Sequence, residues 1–549
     1  MMKLERNNLF GAFMHLRKVL AGCLVFLFII LSAGQLMAGT VYVSLSGDDS
    51  FAGTNWATAL RTITNGIAKA SFGDTVLISN GFYTVTSQIV LNKGITVKGF
   101  GGRDNVRVAR TGAQTNRIFY LSHSDAVIEG MTISNGYFSA AAVGSRGAGI
   151  YITAGTVRDC HITKNIAYRG CGIYMVGGRV ENSIISSNLQ ITGGSTEYGG
   201  GIAIEGVSCV VTGCTFVRNS ARSWGRSYGG GGYMSAGLIV NCMFSNNYNN
   251  SHAAYSASGT MAGGLYMTGG TVRDSLFVTN TCMQGNDCAN GGGAIYMSGG
   301  LVERCVFKNN IGNGGINGNP GGGGAIRAAG GTVRNCVFYG NKVTTGGHGG
   351  AIWLSGGSPV VENCTIVGNT NSAGSYEGGG IYMSAGTVRN CIVYYNPALG
   401  TAANLYVAGG SAINNCAYPL VSGAGNIDAA PDFINRLGLD FRLMVGSPCI
   451  DSGTNQAWMV SATDYANNPR IYNSIVDMGA YEFQGTVALV AEEILPPEEI
   501  RGQVRYDFKP VISDTRLAFT HPSTDRNYRN HVYATHVGLV EIGWTVHGV

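Results

Sequence analysis

The sequence predicts an all-β solenoid of parallel strands, three strands to a coil, and three observations predict it. The first is a short phrase that recurs ten times with a period of about 23–33 residues: a β-branched residue, two spacers, Cys or Ser, an apolar residue two further on, and Asn three beyond that. The β-branched row reads Val157, Val180, Val211, Ile239, Val272, Val302, Val333, Val361, Val388 and Ile413. The Cys row reads Cys160, Ser183, Cys214, Cys242, Ser275, Cys305, Cys336, Cys364, Cys391 and Cys416. Asn follows at Asn165, Asn188, Asn219, Asn247, Asn280, Asn310, Asn341, Asn369 and Asn396, and the tenth copy lacks it. The second observation is that each phrase is made of short strand-like stretches. The third is that the 85 glycines stand in register with them, so they punctuate strands and do not form a low-complexity linker.

One copy shows why each element forms. In Gly322–Ala328, alternation turns Ile326 and Ala328 inward on a first strand, and Gly330-Gly331 turns the chain. Val333 faces inward on a second strand, Cys336 and Phe338 on a third, and Asn335 breaks the alternation by one residue. That breaking position reads Asp159, Asn182, Gly213, Asn241, Asp274, Arg304, Asn335, Asn363, Asn390 and Asn415. Most of these residues tolerate a left-handed backbone, so a sharp corner is expected there. The inward third-strand row (Ile162, Ile185, Phe216, Phe244, Phe277, Phe307, Phe338, Ile366, Val393, Tyr418) predicts an axial apolar stack. The Asn row predicts a hydrogen-bonded amide ladder. Arg158, Glu181, Arg273, Glu303, Arg334, Glu362 and Arg389, two residues before the Cys row, predict cross-strand ion pairs on a solvent-facing row.

Outside the repeats the chain changes character. In residues 1–39, Lys3, Arg6, Arg17 and Lys18 precede an apolar run from Val19 to Leu31 and then small residues at Ala33, Ala38 and Gly39. This is the layout of a secretory signal, so export is expected and the membrane enters only through this segment. Residues 40–146 read as an N-terminal cap and opening coils, with a capping helix over Thr62–Ala70 to cover the first coil. Regular repeats occupy 147–430, a small irregular, turn-rich segment 431–484, and an acidic, proline-bearing linker with an unassigned tail 485–549.

The formal net charge is only +5, without a basic run in the repeats, which argues against nucleic acid as a partner. Fourteen cysteines in an exported chain would ordinarily form a disulfide framework. In-register parallel neighbours, however, stand about 4.8 Å apart with parallel side-chain vectors, whereas a disulfide needs converging Cβ atoms about 3.8 Å apart. The Cys row is therefore expected to be stacked free thiols. Cys282 and Cys288, in one loop, are the pair best placed to bridge.

Over about residues 40–430 these repeats resemble the pectin-lyase-like superfamily, which implies a right-handed parallel β-helix. Gly-Gly-Ala-Ile at 292–295, 323–326 and 349–352, with Phe-x-x-Asn at 216–219, 244–247, 277–280, 307–310 and 338–341, resembles the paired motifs of polymorphic outer-membrane adhesins. Those adhesins end in a membrane barrel with a terminal aromatic; this chain ends in Gly548-Val549, so that anchor is not expected. Pro431-Asp432-Phe433, Asp440-Phe441-Arg442-Leu443, Gly446–Gly453 and Asp477–Glu482 resemble the segment that follows the helix in choice-of-anchor surface proteins. These likenesses imply a secreted or cell-surface protein, extracellular or at a bacterial outer membrane.

In the lyase and hydrolase branches of that superfamily, substrate lies along the outer face of the first strand. Acid, base or calcium chemistry there needs converging carboxylates, and between Gly147 and Leu420 acids are few and scattered. The outward row of the first strand reads instead Tyr151, Tyr174, Ala203, Tyr233, Tyr266, Tyr296, Arg327, Trp353, Tyr382 and Tyr406. Such an exposed aromatic stripe is either stacking that stabilises the sheet or a contact face for polysaccharide or a cell-surface ligand. The reading adopted is a non-catalytic binding protein that uses no cofactor; a spacer rod roughly 60 Å long, from about 13 coils, is a purely structural reading. The alternative is a polysaccharide lyase or glycoside hydrolase on the same face. Arg327 would then be the base and Asp287 or Glu377 the metal or acid partner, with calcium required only for a lyase. Gly347-His348-Gly349 resembles the Gly-His-Gly of polygalacturonases, but their companion Asn-x-Asp, Asp-Asp and Arg-x-Lys elements are absent at matching positions, so His348 is expected to be a loop residue.

Overall fold

The computed structural model describes residues 38–113, 115–139, 145–191, 197–223, 227–251, 261–283, 291–313, 321–344, 346–372, 377–398 and 404–485, with six short strands beyond them. The secretory segment, Asp287 and Cys288 lie outside these residues, apart from Ala38 and Gly39. Among the described residues no helix is long and apolar enough to cross a membrane.

From Thr40 to Ala417 the chain winds as a parallel β-helix. Three parallel sheets of 12, 14 and 13 strands run its length, and a fourth of 8 short strands lines one corner. First strands such as Ile326–Ala328 build the 12-stranded sheet, second strands such as Thr332–Arg334 the 14-stranded sheet, and third strands such as Val337–Tyr339 the 13-stranded sheet. Successive coils pair in register, for example Val302 with Val333 and Phe307 with Phe338.

A small helix, α1 (Ile63–Lys69), covers the first coils as expected: the Thr62 hydroxyl caps it by accepting the Asn65 N–H, and Ile63, Gly66 and Ile67 are buried. Gly66 has to be glycine, because a Cβ there would stand 2.7 Å from a Val43 methyl and 2.8 Å from one of Val76.

The core consists of stacked rows. Phe216, Phe244, Phe277, Phe307 and Phe338 stack with centroids 4.4–5.0 Å apart and interplanar angles of 5–10°. The Asn row is a continuous amide ladder. In Asn280, the Nδ2 donates to the Phe244 carbonyl at 2.8 Å and to Asn310 Oδ1 at 3.0 Å, while Oδ1 accepts from Asn247. The residue before each Asn is itself left-handed (Lys164, Ser187, Arg218, Asn246, Thr279, Asn309, Gly340, Gly368, Tyr395), a second corner that the sequence reading did not foresee. The amide ladder thus braces a bend, and the fourth sheet starts immediately after it.

The foreseen corner is left-handed from Asp159 through Asn390, Arg304 included. Of the expected cross-strand ion pairs, Arg334 with Glu303 at 2.7 Å and Arg389 with Glu362 at 2.6 Å form; Arg158 pairs instead with Glu129 on the preceding coil at 2.6 Å, Glu181 with Arg179 of its own strand at 2.7 Å, and Arg273 approaches Asp274 at 3.8 Å. The row is not wholly solvent-facing, however: Glu303 and Glu362 are buried.

The tenth copy is corrected by one residue. Val388 pairs with Ala412, Cys391 stands opposite Asn415, and Val393 pairs with Ala417; the left-handed corner is Asn414, and Tyr418 is exposed. Ile413, Cys416 and Tyr418 therefore leave the rows in which the phrase put them.

Beyond the last coil, Phe433–Asn435 pairs antiparallel with Asp440–Leu443, and the chain then returns as a strap across the corner row. Corner amides hold it: Asn390 Nδ2 donates to the Thr454 carbonyl at 2.9 Å while Asn390 Oδ1 accepts the Thr454 N–H at 2.8 Å. Asn335 donates to the Thr463 carbonyl and Asn363 to that of Asp477. Inside the strap, Arg470 is fully buried and paired with Glu482 at 3.1 Å. Where the strap ends, a groove of about 560 Å³ lined by Gly213, Asn241, Asp274, Arg304 and Tyr465 opens along the same corner. Residues from Phe483 form a separate unit. In it Ala488–Ala491 pairs with Pro510–Ser513, Glu498–Ile500 with Gln503–Arg505, and Arg529–Ala534 with Val540–Thr545, all antiparallel.

Candidate functional site

The outward row of the 12-stranded sheet runs unbroken in register. Tyr120, Tyr151, Tyr174, Ala203, Tyr233, Tyr266, Tyr296, Arg327, Trp353, Tyr382 and Tyr406 each pair with the next. All eight aromatics expected on the row are on it, and Tyr120 extends it by one coil. The expected exposure of the stripe is corrected. Tyr174 is 1% and Trp353 7% exposed, and the other aromatics of the row are half-buried.

The reason is a second column that the loops lay beside the first. It comprises Arg146, Arg169, Tyr198, Tyr228 and Met261, bridged coil to coil, with His348 and Glu377 further along. Arg146, Arg169, Tyr198, Tyr228, His348 and Glu377 each precede a glycine with positive φ: Gly147, Gly170, Gly199, Gly229, Gly349 and Gly378. These glycines are obligatory. At Gly349 a Cβ would stand 1.9 Å from the Ile352 carbonyl oxygen. A polar or aromatic residue immediately before the turning glycine was the available sequence signal, and the phrase, indexed on the second and third strands, passed over it.

The two columns make three zones. At the N-terminal end, Tyr174 donates its hydroxyl to Glu205 Oε2 at 2.5 Å and accepts from Arg146 at 2.8 Å. Arg169 lies 3.4 Å from Glu205 and stacks over Tyr198 at 4.6 Å. Arg117 stacks over Tyr151 at 5.0 Å and donates to Gln88 and to the Arg146 carbonyl. Burial, and then the Glu205 carboxylate, push the Tyr174 phenol well up, so it stays protonated and a donor.

The middle zone is aromatic throughout. Tyr228 stacks on Tyr266 at 4.6 Å, Tyr266 on Tyr296 at 5.2 Å with 13° between planes, and Tyr198 sits 4.5 Å from Tyr233. Burial among these phenols raises Tyr266. Rings stacked along the axis turn their faces toward one another, and side chains stand perpendicular to the sheet. The surface therefore presents ring edges and hydroxyl tips.

At the C-terminal end, the Arg327 guanidinium lies 4.1 Å over Trp353 and 5.8 Å from Tyr296, and its Nε donates to Ser355 Oγ at 3.0 Å. His348 stacks on Tyr382 at 3.8 Å, and Tyr382 stacks on Tyr406 at 5.4 Å. Glu377 hydrogen-bonds the Tyr406 hydroxyl and raises its pKa. Burial lowers both Arg327 and His348; Glu377 opposes the shift at His348 and Arg327 reinforces it, so the imidazole is neutral near pH 7. The structure thus gathers Arg327, His348 and Glu377 round one Trp–Tyr–Tyr cluster. Among the described residues no group of three or more His, Cys, Asp or Glu converges to hold a metal.

No protein-family model matches the chain, and no curated protein does. Solved structures do. Pectate lyase Pel9A is 16% identical, with a TM-score of 0.38, over 82% of this chain and 98% of its own. A rhamnogalacturonan lyase is 16% identical, with a TM-score of 0.26, over 72% and 91%. The pectin methylesterase PemA from Erwinia chrysanthemi is 15% identical, with a TM-score of 0.25, over 50% and 78%. The chain is a parallel β-helix. Within that β-helix the 12-stranded sheet carries the polar and aromatic columns, while the inward rows are saturated by packing and hydrogen bonds.

Proposed function

We propose that this β-helix is an exported, non-catalytic polysaccharide-binding protein of the cell surface or extracellular space, and that the double column on its 12-stranded sheet is the contact face. One observation carries the reading: aromatic side chains continue in register from Tyr120 to Tyr406, interrupted only by Ala203 and Arg327, with guanidinium groups stacked on rings at both ends. A glycan laid along the axis meets phenolic hydroxyls and ring edges at nearly every coil, and arginines that donate to its hydroxyls or acidic groups at each end. Repetition supplies affinity through many weak contacts that no single coil could supply. The test is retardation of the purified chain in native gels containing a panel of soluble polysaccharides. Retardation by at least one polymer is expected, and a wild-type chain that migrates freely through all of them contradicts the reading.

A second reading, a polysaccharide lyase or glycoside hydrolase on the same face, is favoured by the convergence of Arg327, His348 and Glu377. A neutral imidazole beside a carboxylate can move protons at neutral pH, and a desolvated guanidinium beside them can hold an anionic group. Calcium belongs to this reading alone. The same panel, followed for new reducing ends and unsaturated products, decides between the two. Turnover abolished by Arg327→Ala would establish the enzyme.

A further inference from the structure

The one-residue slip of the last coil gives Cys416 a different environment from the other thiols of its row. The repeat thiols Cys160, Cys214, Cys242, Cys305, Cys336, Cys364 and Cys391 pack within the axial core. Cys416 does not follow them. It pairs with Ile392 and so falls in the outward column that contains Val337 and Thr365, while Asn415 takes the rung opposite Cys391 and accepts its N–H at 3.0 Å.

That outward column is roofed by the strap. Cys416 and Cys449 lie in a separate small core with Ile392, Phe433, Phe441, Leu443 and Met478, both with no exposed surface. Both are free thiols here: Cys416 Sγ donates to the Ala429 carbonyl at 3.2 Å, and the Cys449 thiol, in the same small core, has Cys416 as its side-chain hydrogen-bond neighbour. Cys449 is held in place from its own side, since its carbonyl accepts the Met478 N–H at 3.0 Å and its N–H is directed at Ser447 Oγ at 3.3 Å. The objection that applies to the ladder thiols, parallel vectors at the strand spacing, does not apply here. Cys449 approaches from a turn that crosses the coil and is not an in-register neighbour.

From this we infer that Cys416 and Cys449 are a disulfide-forming pair that fastens the strap to the last coil. The oxidant is a low-molecular-weight or protein disulfide, of the kind an exported chain meets on folding. One cysteine thiolate attacks the oxidant, forms a mixed disulfide and releases the first leaving thiolate. The second cysteine thiolate then attacks the mixed disulfide and releases the other. Two cysteine S–H bonds and one oxidant S–S bond are exchanged for the Cys416–Cys449 bond, and the two protons end on the released thiols. The neighbouring Cys416 sulfur, and then burial, hold the Cys449 thiol far above its ordinary range, so exchange belongs to the stage before the strap closes, and the finished bond is shielded.

The experiment is to refold the reduced full-length chain with oxidised glutathione, block free thiols under denaturing conditions without reductant, cleave at arginine and identify cross-linked peptides by mass spectrometry. Cleavage separates Cys449 from Cys416 but leaves Cys391 with Cys416, so the measurement is repeated on Cys391→Ser and Cys416→Ser. The expected result is a cross-link to the Cys449 peptide that persists in Cys391→Ser and is lost in Cys416→Ser. The wild-type thermal midpoint should also fall by about 3–6 °C on prior reduction, a shift absent from Cys449→Ser. Recovery of Cys416 and Cys449 both blocked as free thiols in the oxidised, folded chain overturns the inference, as does a cross-link that survives Cys416→Ser.

Discussion

The inward Phe and Asn rows and the outward Tyr columns are built on the same coil spacing, yet they obey different rules. Inside, Phe216 to Phe338 repeat one residue type at one orientation, and Asn165 to Asn396 repeat one hydrogen-bonding pattern. Outside, ring pairs range from 8° between Tyr382 and Tyr406 to 75° between Trp353 and Tyr382, and arginine, alanine and histidine enter the columns. A row that closes a core must repeat, because each member packs against or hydrogen-bonds the equivalent residue of the next coil. A row facing solvent is free to differ from coil to coil, and the variation here places charge at both ends of an aromatic middle.

Breaking the inward rows should have the largest effects. Phe277→Ala removes a ring stacked on both sides and fully buried, and is expected to cost about 4 kcal/mol in chemical denaturation. Asn280→Ala leaves the Phe244 carbonyl and the Asn247 and Asn310 amides short of partners, at about 3 kcal/mol. An effect below 1 kcal/mol at either site would remove the distinction between the two faces. Tyr174→Phe probes the buried part of the outer column. It deletes the hydroxyl between Arg146 and Glu205 and should cost about 1–2 kcal/mol, read by the same denaturation.

The smallest effect is a pH dependence. The folded-state pKa of His348 lies below the ordinary value of 6.5, so just under pH 6.5 the unfolded chain binds protons that the folded chain does not. Stability should therefore decline as pH falls from 6.5 through the lower, folded value, and be indifferent to this group above 6.5. The decline is on the order of a degree in thermal midpoint, and His348→Gln should flatten it. An unchanged slope would mean that His348 titrates as an exposed histidine.

The parts of the fold legible in the sequence were those that repeat. Val157 to Val388, the Cys row from Cys160 to Cys391, the Asn ladder and the left-handed corner from Asp159 to Asn390 all stand where alternation and backbone tolerance put them. Three things were not legible. The corner preceding the Asn row uses Lys164, Arg218, Thr279 and Tyr395 as well as Asn and Gly, so residue type gave no signal there. The tenth copy keeps a Cys at the expected spacing, yet its strand slips by one residue and Ala412 and Ala417 take the buried positions. Of the candidate site, the first-strand column was readable, and the convergence of Arg327, His348 and Glu377 was anticipated from their proximity in sequence. The partners Arg117, Arg146, Arg169, Tyr198, Tyr228 and Glu205 were not, because loops carry them and only the winding of the chain brings them together.

The most direct measurement compares wild type with the pair Tyr266→Ala and Tyr296→Ala for retardation in polysaccharide-containing gels, with thermal midpoints recorded on the same samples. Both rings are half-buried and belong to the middle of the outer column. If the column is a contact face, the double variant should lose retardation while its midpoint stays within about 3 °C of wild type. Unchanged retardation together with a large fall in midpoint would show that the tyrosines only hold the sheet together, and would contradict the account.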